Sequence, residues 1–260
     1  MNRDKEIKID VTDGAAIPSP KDKGLVTAWR ITLIGALLTI ILLVAFKPDP
    51  YLRILKFVPD GILVTFEVTF LSIALSLIVG LLTGLGRIAR NRFVNLIASI
   101  YVEVIRGIPL LVQLFYIYYA LGSFVQVPPF LAAVLAMTIC YGAYMGEVFR
   151  AGIESIDHGQ TEAARSLGFN RTQTMFYVII PQAMRTILPP VGNEFIALLK
   201  DTSLVSILAV ADLLRRGREF ATETFAYFET YTMIALIYLL ITLILSKMVS
   251  IMEEKMKPYE

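Results

Sequence analysis

Several ionisable or amide side chains stand in stretches that are otherwise apolar, and their spacing sets what they can do. Glu103 and Arg106 lie three residues apart, as do Glu147 and Arg150. On a helix each pair shares one face and can neutralise itself. Lys200-Asp201 precedes a Thr-Ser pair and reads as a clasp on a loosened segment. Asn193 and Glu194 differ, because they follow Pro189-Pro190 and no cation stands at i+3 or i+4. That places them near the start of a helix. A carboxylate there either faces a polar cavity and receives a cation, or makes a hydrogen bond to another subunit. Gln113 could supply an amide to the same cavity, whereas Tyr141 and Tyr144 share a face with Glu147 and read as packing anchors. Chemistry beyond binding has little to work with. One histidine (His158) and one cysteine (Cys140) allow neither a disulfide framework nor a cysteine-based metal site, and no paired carboxylate–histidine arrangement exists. The expectation is no catalytic residue and no metal ligand.

The elements that must position these groups are membrane helices. A chain of 260 residues that is 56% hydrophobic, with mean hydropathy +0.67, is too apolar for a soluble domain and too long for a single anchor. It has room for about six spans of ~20 residues. A net charge of +2 gives no general basic patch for nucleic acid. Residues 1–28 are polar and lack an apolar period, so they read as a loosely held tail. A first span follows from Trp29 to Phe46 and stops at Lys47-Pro48-Asp49-Pro50. A connection (47–58) leads to a long apolar helix over 59–85, where Gly80 and Gly84 form a small-xxx-small pair. The third span, 93–121, is expected to bend near Gly107–Pro109. A fourth covers 130–149. The fifth, 187–210, is expected to break at Pro189-Pro190, a polar loop covers 212–229, and a last span runs from 231 to about 251. Sixteen of the 24 Lys and Arg gather on one side of this arrangement and six on the other. The excess puts both termini in the cytoplasm. Arg215, Arg216 and Arg218 are the exception, with Glu219 and Glu223 as candidate partners.

Between two apolar stretches lies Gly159 to Arg185, where the chain can meet a soluble partner. A short helix through Glu162-Ala163-Ala164 ends at Gly168 as a left-handed C′ glycine. Asn170 can then cap a second segment, 171–180, which Pro181 interrupts or kinks. Ala163, Ala164 and Leu167 share one face, with Glu162 and Arg165 on the polar side.

Glu162-Ala163-Ala164, three residues, Gly168, nine residues and Val178-Ile179-Ile180-Pro181 resemble the EAA loop of bacterial ABC-importer permeases. Val178 and Ile180 stand where that pattern has Ile and Leu. The stretch Arg106-Gly107-Ile108-Pro109-Leu110-Leu111-Val112-Gln113 is similar to the RGTPLLVQ segment of polar amino-acid permeases. Glu147-Val148-Phe149-Arg150 and Asn193-Glu194-Phe195 through Ser206 are similar to two further segments of the histidine/glutamine/arginine-type importers. The resemblance implies an all-α membrane protein of about six transmembrane helices. A five-helix type I permease core (59–253, with its EAA loop at 150–185) would follow an extra N-terminal helix (29–46) and the tail. It also implies a coupling loop, with Glu162, Ala163, Ala164, Arg165 and Gly168 docking on an ATP-binding subunit. A pair of such subunits would bind the ATP and magnesium, since this chain has no phosphate-binding Gly-Lys-Ser/Thr loop. A second permease subunit and an extracytoplasmic binding protein would complete the importer in the bacterial plasma membrane. Glu194, Asn193 and Gln113 become candidate contacts to a polar amino acid. An ATPase-independent secondary transporter or channel explains the spans and buried charges, but leaves the EAA loop and its glycine spacing unaccounted for.

Overall fold

The computed structural model describes residues 27–256, and those residues are helical throughout, with short connections. The tail read over residues 1–28 lies, apart from its last two residues, outside the described region. Helix α1, Ala28–Phe46, is capped by Thr27, whose hydroxyl accepts from the Arg30 N–H at 3.2 Å. Apolar side chains point outward all around it, as lipid contact requires. The Trp29 indole N–H ties it to the Leu243 carbonyl at 2.8 Å.

The expected connection 47–58 is instead a second helix, α2 (Pro48–Phe57). Tyr51, Ile54 and Val58 recur at helical spacing and are buried, so a single apolar stripe is enough to fold the segment onto its neighbours. Helix α3 spans Pro59–Arg87. Helix α4, Arg92–Gly107, is capped by Asn91, and α5 covers Leu110–Phe115 before a π-helical stretch (Tyr116–Ala120) and a 3-10 turn (Leu121–Ser123). The predicted bend is present, since α4 and the stretch from Leu110 to Ser123 meet at 101°. Pro109 has no N–H to offer the Ile105 carbonyl four residues back. The Gln113 amide fills the gap, donating to the carbonyls of Ile105 and Ile108 at 2.8 Å each.

Helix α6, Pro129–Glu154, is the best buried and forms the centre of the molecule. Helix α7 (His158–Ser166) ends at Gly168 with φ +88°, as its glycine predicts. Helix α8 (Arg171–Thr174) begins at a capping box in which Asn170 and Gln173 satisfy each other's N–H groups. A π-helical stretch, Met175–Ile179, then leads directly into α9, Ile180–Asp201, which takes Pro181 into its first turn. The break expected at Pro189-Pro190 does not occur. Both prolines sit inside α9 and deprive the Arg185 and Thr186 carbonyls of donors, but packing against α6 and the last helix holds it continuous. Asn193 and Glu194 therefore lie deep in the helix rather than at its start. A 3-10 segment, Thr202–Leu208, leads to α10 (Leu213–Thr224), another helix where a loop is expected, and α11 (Tyr227–Met256) closes the fold.

Helices α1, α3, α6 and α11 are long and apolar enough to cross a membrane, and the bent α4–α5 pair adds a fifth when it is counted as one span. Helix α9 is the remaining segment of the expected set, the one read over 187–210. Its proline and charged residues keep it too polar to be counted on composition.

The arginine cluster of α10 is paired. Arg215 Nε and Arg216 Nη1 donate to Glu219 at 2.9 and 3.0 Å, Arg216 also meets Asp60, and Arg218 reaches the Ser206 carbonyl at 3.1 Å. Glu223 is in none of these contacts. The Arg215 hydrogen bond, with Arg216, holds the Glu219 carboxyl below its ordinary value of 4.5. The folded-state value is depressed, so this stabilisation is present above pH 4.5 and lost as pH falls through the lower value. For a solvent-facing pair it is worth ~0.2–1 kcal/mol. Amide exchange in α10, corrected for intrinsic pH dependence, is expected to quicken on acidification. Glu219→Gln should exchange quickly at neutral pH and lose that response.

Candidate functional site

Where α4 breaks, the packed core opens into a cavity of about 430 Å³, within the ~300–1,000 Å³ range of small-molecule sites. Arg106, Gly107, Ile108 and Pro109 form one wall at the bend, while Cys140, Tyr141 and Tyr144 of α6 form another. Helix α9 supplies the third wall through Glu194, Ala197 and Asp201. Positions 194, 197 and 201 fall on one face of that helix, because three- and seven-residue steps return to the same side. The Tyr141 hydroxyl donates to Asp201 Oδ2 at 2.7 Å. Arg106 lies over the Tyr144 ring, 5.1 Å from its centre, in cation–π contact. The cavity thus presents two carboxylates and one guanidinium on apolar and aromatic walls, which suits a small molecule carrying both signs of charge. A larger space of about 670 Å³, beside Tyr118, Tyr119 and the 122–129 loop, is lined by no charged side chain.

The helices around the cavity are held close by small residues. A Cβ on Gly80 would stand 2.3 Å from the Met145 Cβ, and one on Gly152 2.3 Å from Ile187 Cγ1. These contacts fix α6 against α3 on one side and α9 on the other.

Helix α7 carries the EAA sequence and is exposed along most of its length. Asp157 caps it by accepting from the Gly159 N–H at 2.6 Å, and Gln182 ties it to α9 through Gln160 at 3.2 Å. Glu162, Ala163 and Arg165 are exposed, and Leu167 is 80% exposed. Ala164 turns the other way and is buried against its own chain. The two alanines therefore do not present one common face. Ala164 seats the helix, and Ala163 and Leu167 face out beside the charged residues.

The sequence pattern of the family described as "Binding-protein-dependent transport system inner membrane component" matches residues 73–258. This chain belongs to that family of ABC-importer permease subunits. It is 40% identical over 201 residues to the glutamine transport system permease protein GlnP of Escherichia coli K12, covering 76% of this chain and 92% of the relative. It is also 40% identical over 201 residues to the L-cystine transport system permease protein TcyB of Bacillus subtilis, covering 76% and 86%. A crystal structure of an amino acid ABC transporter with histidines superposes with TM-score 0.75 at 43% identity, over 78% of this chain and 96% of that one. The MetNI methionine ABC transporter, at 17% identity and TM-score 0.65, shares the fold.

Within this permease subunit, the residues singled out for substrate contact separate. Glu194 lines the cavity. Asn193, one residue on, is not among the lining residues, and neither is Gln113. The Gln113 side chain is committed to the carbonyls of the α4–α5 bend and lies 3.8 Å from Cys140 Sγ, 6% exposed. Arg106 does not pair with Glu103 as their spacing suggests; it turns toward Glu147 at 4.0 Å. Arg106 and Asp201 were readable as partners of sequence neighbours, and that reading hid their place in the wall. The signal for Asp201 was its seven-residue step from Glu194. For Arg106 it was the proline three residues on, which ends the helix beside the cavity.

Proposed function

We propose that this permease subunit passes a polar amino acid of the glutamine, glutamate, histidine or arginine class through the cavity between α4, α6 and α9. The supporting observation is the cavity's charge arrangement. A zwitterion can set its α-ammonium against Glu194 and Asp201 while its α-carboxylate meets Arg106, and each charge is compensated without water. The two-to-one excess of carboxylates leaves capacity for a cationic side chain. An extracytoplasmic binding protein delivers the amino acid, a second permease subunit completes the path, and a pair of ATP-binding subunits holds ATP and magnesium. ATP binding draws the α7 helices together and turns the permease pair outward, and hydrolysis resets it. The excess of Lys and Arg puts α7 and both termini in the cytoplasm of a bacterial plasma membrane.

The test is direct binding of radiolabelled amino acids to the purified permease–ATPase complex, with uptake into liposomes alongside. Glu194→Gln is expected to weaken binding by about 10-fold or more, the loss of one charge-assisted hydrogen bond of ~1.5–3 kcal/mol. Basal ATP hydrolysis should persist. Wild-type affinity in Glu194→Gln would remove the cavity from the transport path. Uptake that proceeds without the ATP-binding subunits would make the chain a secondary transporter.

A further inference from the structure

Beneath the cavity wall lies a cluster of charges that substrate contact alone does not require. The Glu147 carboxylate on α6 faces three guanidiniums. Arg87, at the end of α3, meets it directly, and Arg150 Nη2 bonds it at 3.0 Å while also meeting Glu154. Arg106 approaches at 4.0 Å, the longest of the three contacts. The three arginines also differ in freedom. The Arg87 and Arg150 side chains are 18% and 30% exposed, whereas that of Arg106 is 44% exposed and opens onto the cavity over Tyr144. With two carboxylates for three guanidiniums, the cluster carries one positive charge in excess. The member held least firmly is the one that faces the site.

We propose that Glu147 is the counter-ion of Arg106 while the cavity is empty, and that an entering α-carboxylate takes Arg106 in competition with it. This rests on the reading of the cavity as an amino-acid site. In the empty state Arg106 faces Glu194 and Asp201 across the cavity, and Glu147, at 4.0 Å, is the carboxylate within ion-pair distance, so it shares in compensating the guanidinium. When substrate arrives, its carboxylate replaces Glu147, whose charge is then committed wholly to Arg87 and Arg150. Those two residues stand at the end of α3 and at the last turns of α6, four residues before the chain leaves α6 for α7. Occupancy of the cavity thereby changes the charge balance at the foot of the helix that leads into the coupling segment. Glu147 is a positioning residue, since it acts through Arg106 and does not touch the substrate.

The experiment compares each transported amino acid with its carboxamide, in which a neutral amide replaces the α-carboxylate, for binding to the intact permease–ATPase complex. Glu147→Asp withdraws the carboxylate by one methylene, keeps its charge beside Arg87 and Arg150, and lengthens the Arg106 contact. Its expected result is several-fold tighter binding of the amino acid, unchanged binding of the carboxamide and a smaller stimulation of ATP hydrolysis by substrate. Arg106→Gln should erase the preference for the acid and make Glu147→Asp silent in the double variant. An unchanged acid-to-amide ratio in an intact Glu147→Asp complex overturns the proposal, as does equal weakening of both ligands, which a purely structural role would give. Should the Glu147→Asp complex not assemble, persistence of acid preference in Arg106→Gln overturns it instead. If wild-type complex binds no amino acid, the reading of the cavity itself fails and this inference goes with it.

Discussion

Glu162→Arg is expected to release this subunit from its ATP-binding partners, with a loss of affinity exceeding 100-fold. The site has the composition of an interface rather than of an ordinary surface. Helix α7 has nine residues and exposes Glu162, Ala163, Arg165 and an 80%-exposed Leu167. Phe176 and Tyr177 on the adjoining π-helical stretch are 62% and 71% exposed. Large apolar groups clustered around a small charged helix mark a protein contact. Under the proposed function that contact is with the ATP-binding subunit. Truncating one central interface residue costs ~2–4 kcal/mol, and setting like charges against each other costs several more, so charge reversal exceeds simple truncation. The substitution should leave the fold alone, because the Glu162 side chain is exposed and its structural contact is made by the backbone carbonyl, which accepts from Ser166 at 3.0 Å. Co-purification from detergent measures the effect, and the melting temperature of the isolated subunit checks the fold. Retained association in a folded variant would mean that α7 is not the docking helix.

Much of this architecture was legible because its signals are local. Gly168 announces a left-handed residue, Asn170 a cap, and Gly107 with Pro109 a bend, and each decides its own backbone within a few residues. The Gly80–Gly84 pair was equally local. What was missed depends on partners distant in the sequence. Pro189-Pro190 reads as a break in isolation, but α9 stays continuous because α6 and α11 flank it. Helices α2 and α10 read as loops because they are short and rich in polar residues. Burial of Tyr51, Ile54, Leu213 and Phe220 in one shared cluster makes them helices. Pairing followed the same pattern. Arg106 stands three residues from Glu103, yet the structure gives it Glu147 from another helix and Tyr144 as an aromatic support. Sequence proximity identifies a possible ion pair, whereas the packing of α4 and α3 on α6 determines which ones form. Glu194 was found because it lacked a neighbour of opposite charge. Asp201 was overlooked because Lys200 stood beside it.

That packing is what Gly80→Ala tests, and its expected result is a subunit that melts at lower temperature and transports poorly. The added methyl would stand 2.3 Å from the Met145 Cβ, 3.0 Å from the Met145 carbonyl carbon and 3.1 Å from the Gly146 nitrogen. Ordinary carbon contacts lie at roughly 3.5–4.0 Å, so α3 and α6 must part by about 1 Å. No change of rotamer relieves the contact, because the atoms met are a Cβ and backbone. Alanine is favoured over glycine in a helix by up to ~1 kcal/mol, but overpacking of this kind costs ~1–3 kcal/mol, so the loss prevails. Parting the helices also shifts Tyr141 and Tyr144, which lie on α6 and line the cavity. Displacing binding groups by about 1 Å can cost on the order of 100-fold in rate, so uptake should fall further than stability. Suppression separates this mechanism from a general intolerance at position 80. Met145→Gly removes the opposing Cβ and should recover part of both losses in the double variant, whereas Met145→Ala keeps that Cβ and should recover neither. Wild-type melting and uptake in Gly80→Ala would show that α3 does not press on α6 at this glycine.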